Sequence, residues 1–168
     1  RDRIYEEHDG SFFVSIALTQ SEDFVLISTG GHSHNEVFFL PRDNFREAPR
    51  LIAARREDHE YHVDHGHDTF YIRSNRDHVN FGLFTVNQSA PEESNWQKVI
   101  AGDDRHYLTD HAVFDQVLVV EERIDGLDQI RVLSHDRNDD YYIEFPESAY
   151  SAGLGSNANF EQSHLRLS

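Results

Sequence analysis

Three segments of the chain repeat one pattern, in which two apolar runs flank a polar turn. The first runs begin at Phe24, Phe70 and Val117, at offsets of 46 and 47 residues. The runs pair as residues 24–28 with 35–40, 70–75 with 80–84, and 117–122 with 128–133. A period near 45 residues that holds four short strands is typical of the blades of a β-propeller.

The other two strands of each repeat can also be placed. Alternating runs precede the pairs at residues 12–19, 61–65 and 111–114, and further runs follow at 49–55, 96–100 and 141–145. We therefore predict an all-β fold, a partial β-propeller of about three four-stranded antiparallel blades plus part of a fourth. The predicted domain spans residues 1–168, with repeats at about 11–57, 58–104 and 105–148 and a partial repeat at 149–168.

Other all-β architectures remain open at this point. Short strands at regular spacing also fit a β-sandwich or a barrel, although the near-constant period favours the propeller. The chain has no sustained apolar stripe at helical spacing, so we expect no long helix. An incomplete ring would leave sheet edges exposed, and we expect self-association through those edges.

The charge balance narrows the set of partners. Asp and Glu number 31 against 15 Lys and Arg, which gives a formal charge of −16. Such a surface repels phosphate backbones and anionic lipid, so we expect neither nucleic acid nor a membrane as partner, whereas short basic peptides would be attracted. Apolar runs of about five residues are too short to span a membrane. The absence of Cys excludes thiol catalysis and fits a cytoplasmic location.

Histidines are the most conspicuous candidate ligands. His59, His62, His65 and His67 lie within nine positions, beside Asp64 and Asp68. In a strand, alternate residues share a face, so His59 and His65 point away from His62. Residues 65–68 also resemble a hairpin turn, where polar residues are common. We predict no metal site and no cofactor.

No catalytic residue is predicted either. A serine hydrolase needs Gly-x-Ser-x-Gly at a strand-to-helix turn, and residues 31–35 and 153–157 both fail that pattern. Glu121, Glu122 and Arg123 end an apolar run, either as an Arg–carboxylate pair between adjacent blades or as an exposed strand end. Trp96 is interpreted as a residue that packs blades together.

A set of short motifs resembles one known family. In chain order they are residues 4–7 (IYEE), 58–61 (DHEY), 64–65 (DH), 70–75 (FYIRSN), 80–81 (NF), 119–123 (VVEER), 126–127 (GL), 149–150 (AY) and 165–168 (LRLS). Together they resemble the oligopeptidase B group of the prolyl oligopeptidase family of serine peptidases. The resemblance covers essentially the whole chain.

This resemblance implies a function that the chain performs only in part. Members of the family join an N-terminal seven-bladed propeller, which limits access to small substrates, to a C-terminal α/β-hydrolase domain with catalytic Ser, Asp and His. The oligopeptidase B group cleaves short peptides after Arg or Lys. The chain is then expected to be a non-catalytic fragment with the later blades, and its partners to be the early blades and the hydrolase domain of the parent. A stand-alone propeller or sandwich module that binds a protein partner is the alternative.

Overall fold

The computed structural model describes residues 2–146 and 151–168, and its regular structure is three four-stranded antiparallel sheets. Sheet 1 contains β1 (Phe13–Leu18), β2 (Phe24–Gly30), β3 (Asn35–Pro41) and β4 (Arg50–Leu51). Sheet 2 contains β5 (Tyr61–Gly66), β6 (Thr69–Ser74), β7 (Gly82–Asn87) and β8 (Gln97–Ile100), with a 3₁₀ turn at Glu93–Asn95. Sheet 3 contains β9 (His106–Val113), β10 (Val117–Ile124), β11 (Leu127–Ser134) and β12 (Asp140–Tyr142). The predicted fold class is confirmed, and the sheets do not close into a ring.

Tight turns explain why consecutive strands pair. Asp125 and Gly126 join β10 to β11 with φ values of 50° and 84°. Positive φ at both central residues matches the right-handed twist of a hairpin, and the Asp-Gly pair adopts it readily. The turn between β5 and β6 is shorter than the predicted residues 65–68, because His65 and Gly66 still belong to β5. The predicted start of the fourth repeat at residues 149–150 lies outside the described residues.

Several strands begin or end away from their predicted positions. Strand β7 begins at Gly82 because Phe81 adopts a φ of 66° and its N–H bonds to the carbonyl of His78 at 3.0 Å. Strand β9 begins at His106, five residues before the predicted run at residues 111–114. The prediction missed residues 106–110 because they lack an alternation of apolar and polar residues. Strand β4 is reduced to Arg50–Leu51. The boundaries therefore shift wherever polar strand residues or left-handed turns interrupt the apolar pattern.

Apolar side chains fill the spaces between successive sheets. Between sheets 1 and 2 lie Phe39, Ile52, Tyr61, Phe70, Ile72 and Trp96, among others. Between sheets 2 and 3 lie Leu83, Ile100, Leu108, Val113, Leu118 and Val120. Beyond sheet 3, residues Val119, Ile130 and Val132 pack against Leu154, Leu165 and Leu167 of the final segment. Trp96 is buried, as interpreted from the sequence. No helix among the described residues has the length and apolar character needed to cross a bilayer.

The face of sheet 1 that points away from sheet 2 is apolar, and its β1 edge is exposed. Val14, Ile16 and Leu18 project from β1 with exposed fractions of 47%, 72% and 47%. With Ile4 and Phe45 they border a groove of about 430 Å³. Exposed apolar surface of this kind marks an interaction site. We call this surface the outer face of sheet 1.

The outer face of sheet 1 leads to a prediction about self-association. Ile16→Arg should reduce the self-association of the 168-residue chain because it places a charge in the middle of this face. The free energy of unfolding should change by less than about 0.5 kcal/mol, as for other exposed positions. Sedimentation velocity at increasing protein concentration measures the association. Val79→Arg is the control, because Val79 is equally exposed but lies in the turn between β6 and β7. A wild-type chain that sediments only as a monomer would contradict the prediction.

Candidate functional site

The four clustered histidines do not converge. His59 and His65 are buried, with exposed fractions of 2% and 0%, and both lie on the side of sheet 2 that faces sheet 1. The side chain of His62 points to the opposite side and is 45% exposed, while His67 occupies the turn after β5. The described residues contain no group of three His, Cys, Asp or Glu side chains placed to hold a metal ion.

The serine motifs of the sequence lie in turns and extended backbone. The hydroxyl of Ser33 is 3.3 Å from Nδ1 of His34 in the exposed turn between β2 and β3. Gly153 and Gly155 make backbone hydrogen bonds to Ser168 and Arg166, as in a strand pair. Neither segment has the strand-to-helix turn of a nucleophile elbow.

The charged residues 121–123 at the end of β10 match neither an ion pair between blades nor a fully exposed strand end. The extra residue of a β-bulge lies on β9, opposite Glu121 and Glu122, and the alternation of β10 itself continues unbroken. The buried carboxylate of Glu122 accepts from the hydroxyl of Tyr142 at 2.7 Å and lies 3.4 Å from a guanidinium nitrogen of Arg131. Arg123 pairs with Asp128 of its own hairpin at 2.9 Å. A partly buried Arg–carboxylate pair therefore exists, but it lies within sheet 3 and does not join two blades.

Asp64 connects all three sheets. Its Oδ1 accepts from the backbone N–H of Gln20 and of His65, both at 2.8 Å, and its Oδ2 accepts from the N–H of Val113 at 2.8 Å. The first strands of the three sheets therefore converge at this carboxylate, and we call β1, β5 and β9 the inner strands. Removal from water raises the pKa of Asp64 to about 6, although the three N–H groups act in the opposite direction.

A hydrogen-bond chain beside Asp64 also joins sheets 1 and 2. The Ser21 hydroxyl is 2.8 Å from Nδ1 of His65, and Nε2 of His65 is 2.7 Å from Oε1 of Gln88. An amide oxygen only accepts, so Nε2 carries the proton and Nδ1 accepts from the Ser21 hydroxyl. Gln20, Ser21, Asp64, His65 and Val113 form what we call the inner-strand joint.

The chain Ser21–His65–Gln88 resembles a catalytic triad only superficially. A triad places a carboxylate on the histidine nitrogen opposite the serine, where it stabilises the imidazolium. Here that nitrogen faces a neutral amide, and the carboxylate of Asp23 lies 3.8 Å from Nδ1, the nitrogen that Ser21 already uses. Burial also lowers the pKa of His65. The arrangement therefore suits a structural joint and not nucleophilic catalysis.

Sequence reasoning missed the inner-strand joint, although one signal was present. Of the four Asp-His dipeptides in the chain, those at residues 64–65 and 110–111 are 46 residues apart, one repeat period. The carboxylate of Asp110 accepts from the N–H of His111 at 2.8 Å, as Asp64 does from His65. Both histidines are buried. A repeated polar pair inside a strand indicates a structural role, because burial of such groups requires hydrogen-bond partners.

Comparison with known proteins identifies the family. A family model described as the prolyl oligopeptidase N-terminal β-propeller domain matches residues 2–168. The chain belongs to the prolyl oligopeptidase family. Among curated relatives, dipeptidyl aminopeptidase BI of Pseudoxanthomonas mexicana is 32% identical over 98% of the chain, and protease 2 of Moraxella lacunata is 25% identical over 98%. The chain spans 23% of the length of each.

Solved structures of the prolyl oligopeptidase family share the fold. Oligopeptidase B from Trypanosoma brucei, in a closed form with covalently bound antipain, superposes with a TM-score of 0.89 at 23% identity. The match covers 98% of the chain and 25% of that structure. Oligopeptidase B from Leishmania major gives a TM-score of 0.88 at 20% identity, over 98% of the chain and 24% of that structure. These structures confirm the predicted fold, and the family model confirms the resemblance to the prolyl oligopeptidase family seen in the sequence.

Proposed function

We propose that the chain is a non-catalytic part of the propeller of a serine peptidase that cleaves short peptides after Arg or Lys. In this proposal the propeller restricts the access of substrates to an α/β-hydrolase domain of the same parent chain. The observation that carries the proposal is the match of residues 2–168 to the propeller domain of the family. Ser21 lies beside a histidine whose other ring nitrogen faces the neutral amide of Gln88 and not a carboxylate, which supports a non-catalytic role.

The joints between sheets support the role of a wall. Besides the inner-strand joint, the buried hydroxyl of Tyr61 donates to the carbonyl of Ala53 at 2.7 Å. It also accepts from the N–H of Val37 at 2.8 Å and of Ala53 at 3.1 Å. These bonds fix β5 of sheet 2 against β3 and the segment that follows β4. A wall of blades held in this way excludes large substrates by its shape.

The uncovered surface supports the proposed partners. The outer face of sheet 1 has the apolar character of the faces that pack between sheets 1, 2 and 3. An earlier blade of the parent chain would cover it as sheet 2 covers the other face. The hydrolase domain is the second proposed partner within the same chain.

Charge supports the proposed substrate class. The excess of 31 acidic over 15 basic side chains gives the surface a negative potential that attracts cationic peptides over long range. A cytoplasmic location is part of the same proposal. Specificity for Arg or Lys itself would be set at the catalytic domain.

The proposal predicts different behaviour for the parent enzyme and for the 168-residue chain. The parent should hydrolyse an Arg-ended chromogenic peptide faster than its Pro-ended analogue. The chain alone should show no turnover and no labelling by a fluorophosphonate probe, because His65 is buried and faces Gln88. In-gel fluorescence measures the labelling, and Ser21→Ala is the matched control. Labelling of the chain that Ser21→Ala abolishes, or a parent that prefers the Pro-ended peptide, would overturn the proposal.

A further inference from the structure

The final segment contains a long loop where the other repeats have short turns. Leu154 and Leu167 form an antiparallel bridge, and the N–H of Gly155 donates to the carbonyl of Arg166 at 2.8 Å. The intervening residues 156–165 form a loop that we call the strap. The corresponding turns after β1, β5 and β9 span only residues 19–23, 67–68 and 114–116.

The amide of Asn157 holds the strap in one shape. Its Nδ2 donates to the carbonyls of Gly155 and Arg166, both at 2.8 Å. Its Oδ1 accepts from the N–H of Arg166 and from Nε2 of Gln162, both at 2.7 Å. Every donor and acceptor of this side chain is therefore used within the strap and its base. These bonds hold Asn157 and Gln162 against the base of the strap.

The strap crosses the ends of all three inner strands. The carbonyl of Phe160 accepts from the N–H of Asp115, after β9, at 3.0 Å. The Phe160 ring lies 5.5 Å from the ring of His67, after β5. The carbonyl of Asn157 accepts from Nε2 of Gln20, after β1, at 2.6 Å. Sheets 2 and 3 lie between sheet 1 and the final segment, so the strap spans the open side of the arc.

The strap contacts sheets 2 and 3 more closely than it contacts sheet 1. Phe160 lies against Gly66, where a Cβ would come within 2.5 Å of Val113 and 3.1 Å of the Phe160 ring. Only glycine leaves the space for this close approach. Toward sheet 1 the strap borders a cleft of about 450 Å³ that runs between residues 20–22 and 158–161. The hydrogen bond from Gln20 is the polar contact that closes this cleft.

Blades of a propeller surround a central channel, and the inner strands line it. We propose that the strap closes the channel at the end where β1, β5 and β9 finish. The channel opens at this end when Gln20 of sheet 1 moves away from Asn157, while the strap remains seated against sheets 2 and 3 through Phe160. This inference rests on the proposed function, because it names the element that excludes longer peptides at this end.

The first test measures the opening directly in the 168-residue chain. The chain has no Cys, so spin labels can be placed at Glu22→Cys and Glu161→Cys, two exposed positions on opposite sides of the cleft. Double electron–electron resonance should give one short distance between the two spin labels. Gln20→Ala should shift the distance distribution to longer values and broaden it. Gln97→Ala is the control, since Gln97 is exposed on β8, away from the strap. An unchanged distance distribution in Gln20→Ala would overturn the proposal.

The second test measures access in the parent enzyme. Loss of one hydrogen bond should raise the open population about fivefold. Gln20→Ala should therefore raise kcat/KM for a long Arg-containing peptide by up to that factor. The value for a short Arg-ended peptide should stay unchanged. An unchanged ratio of long to short substrates would overturn the strap as a barrier. A parent that cleaves neither peptide would instead overturn the proposed function, and the spin-label distances would still decide whether the channel opens.

Discussion

Asp64→Ala should lower the free energy of unfolding by about 4 kcal/mol, because each buried N–H left without a partner costs about 1–3 kcal/mol. The substitution removes the acceptor of three backbone N–H groups, those of Gln20, His65 and Val113. The three groups belong to three different sheets or their turns, so the loss affects the packing of the whole arc. Urea denaturation followed by circular dichroism measures the change.

Two further variants make the Asp64 prediction specific. Asp64→Asn keeps one oxygen that can accept from Gln20 and His65, but it turns an amide group toward the N–H of Val113. Its loss should be smaller, since it also removes the cost of holding a charge away from water. Asp68→Ala, at an exposed position in the next turn, should change stability by less than about 0.5 kcal/mol. An Asp64→Ala variant as stable as Asp68→Ala would contradict the role of the inner-strand joint.

Acidification from pH 7 to pH 4.5 should destabilise the fold through its buried histidines. Burial, with a smaller contribution from Arg56, lowers the pKa of His59 to about 4, and burial also lowers the pKa of His111. Nδ1 of each ring has no hydrogen-bond partner among the described residues, so no acceptor favours the imidazolium there. The unfolded chain takes up protons near pH 6.5, before the folded chain does. Stability is therefore full above that pH and is lost as the pH falls toward 4, by about 3 kcal/mol for His59.

Asp64 acts in the opposite direction over part of the same range. Its folded pKa of about 6 lies above the value for an unfolded chain, so its protonation stabilises the fold as the pH falls from 6 toward 4. Two histidines outweigh one carboxyl group, and the net effect remains a loss. Urea denaturation at several pH values should show a flatter profile for His59→Gln, whose amide can still bond to Ser74 in place of the ring. A wild-type profile that is level from pH 7 to pH 4.5 would contradict this prediction.

The sheets could be predicted from sequence because each is built locally. The runs at Phe24, Phe70 and Val117 became β2, β6 and β10 with the same starting residue or one residue away. The errors arose where local chemistry overrides apolar spacing, as at Phe81, whose left-handed backbone delays β7. Residues 106–110 of β9 were missed in the same way, because polar residues such as Thr109 and Asp110 interrupt the apolar pattern.

The joints could not be predicted, because they depend on contacts between distant residues. Asp64 bonds to a backbone N–H 44 residues earlier and to another 49 residues later. Apolar periodicity carries no information about such pairs. The Asp-His dipeptides marked the positions of two buried histidines, but not the partners of Asp64. Arg131 illustrates the same limit, since neither of its carboxylate partners, Asp140 and Glu122, was predicted.

The contact between Gln20 and Asn157 joins residues 137 positions apart, whereas every hairpin pairs neighbours. Contacts between distant residues require a larger loss of chain entropy and form late in folding. Each sheet can thus assemble soon after its own residues leave the ribosome, and the inner-strand joint can follow once the next sheet exists. The bond from Gln20 would be made last. A growing polypeptide of this kind is therefore an open arc for most of its synthesis. The partner of the residue after β1 is translated more than a hundred residues later.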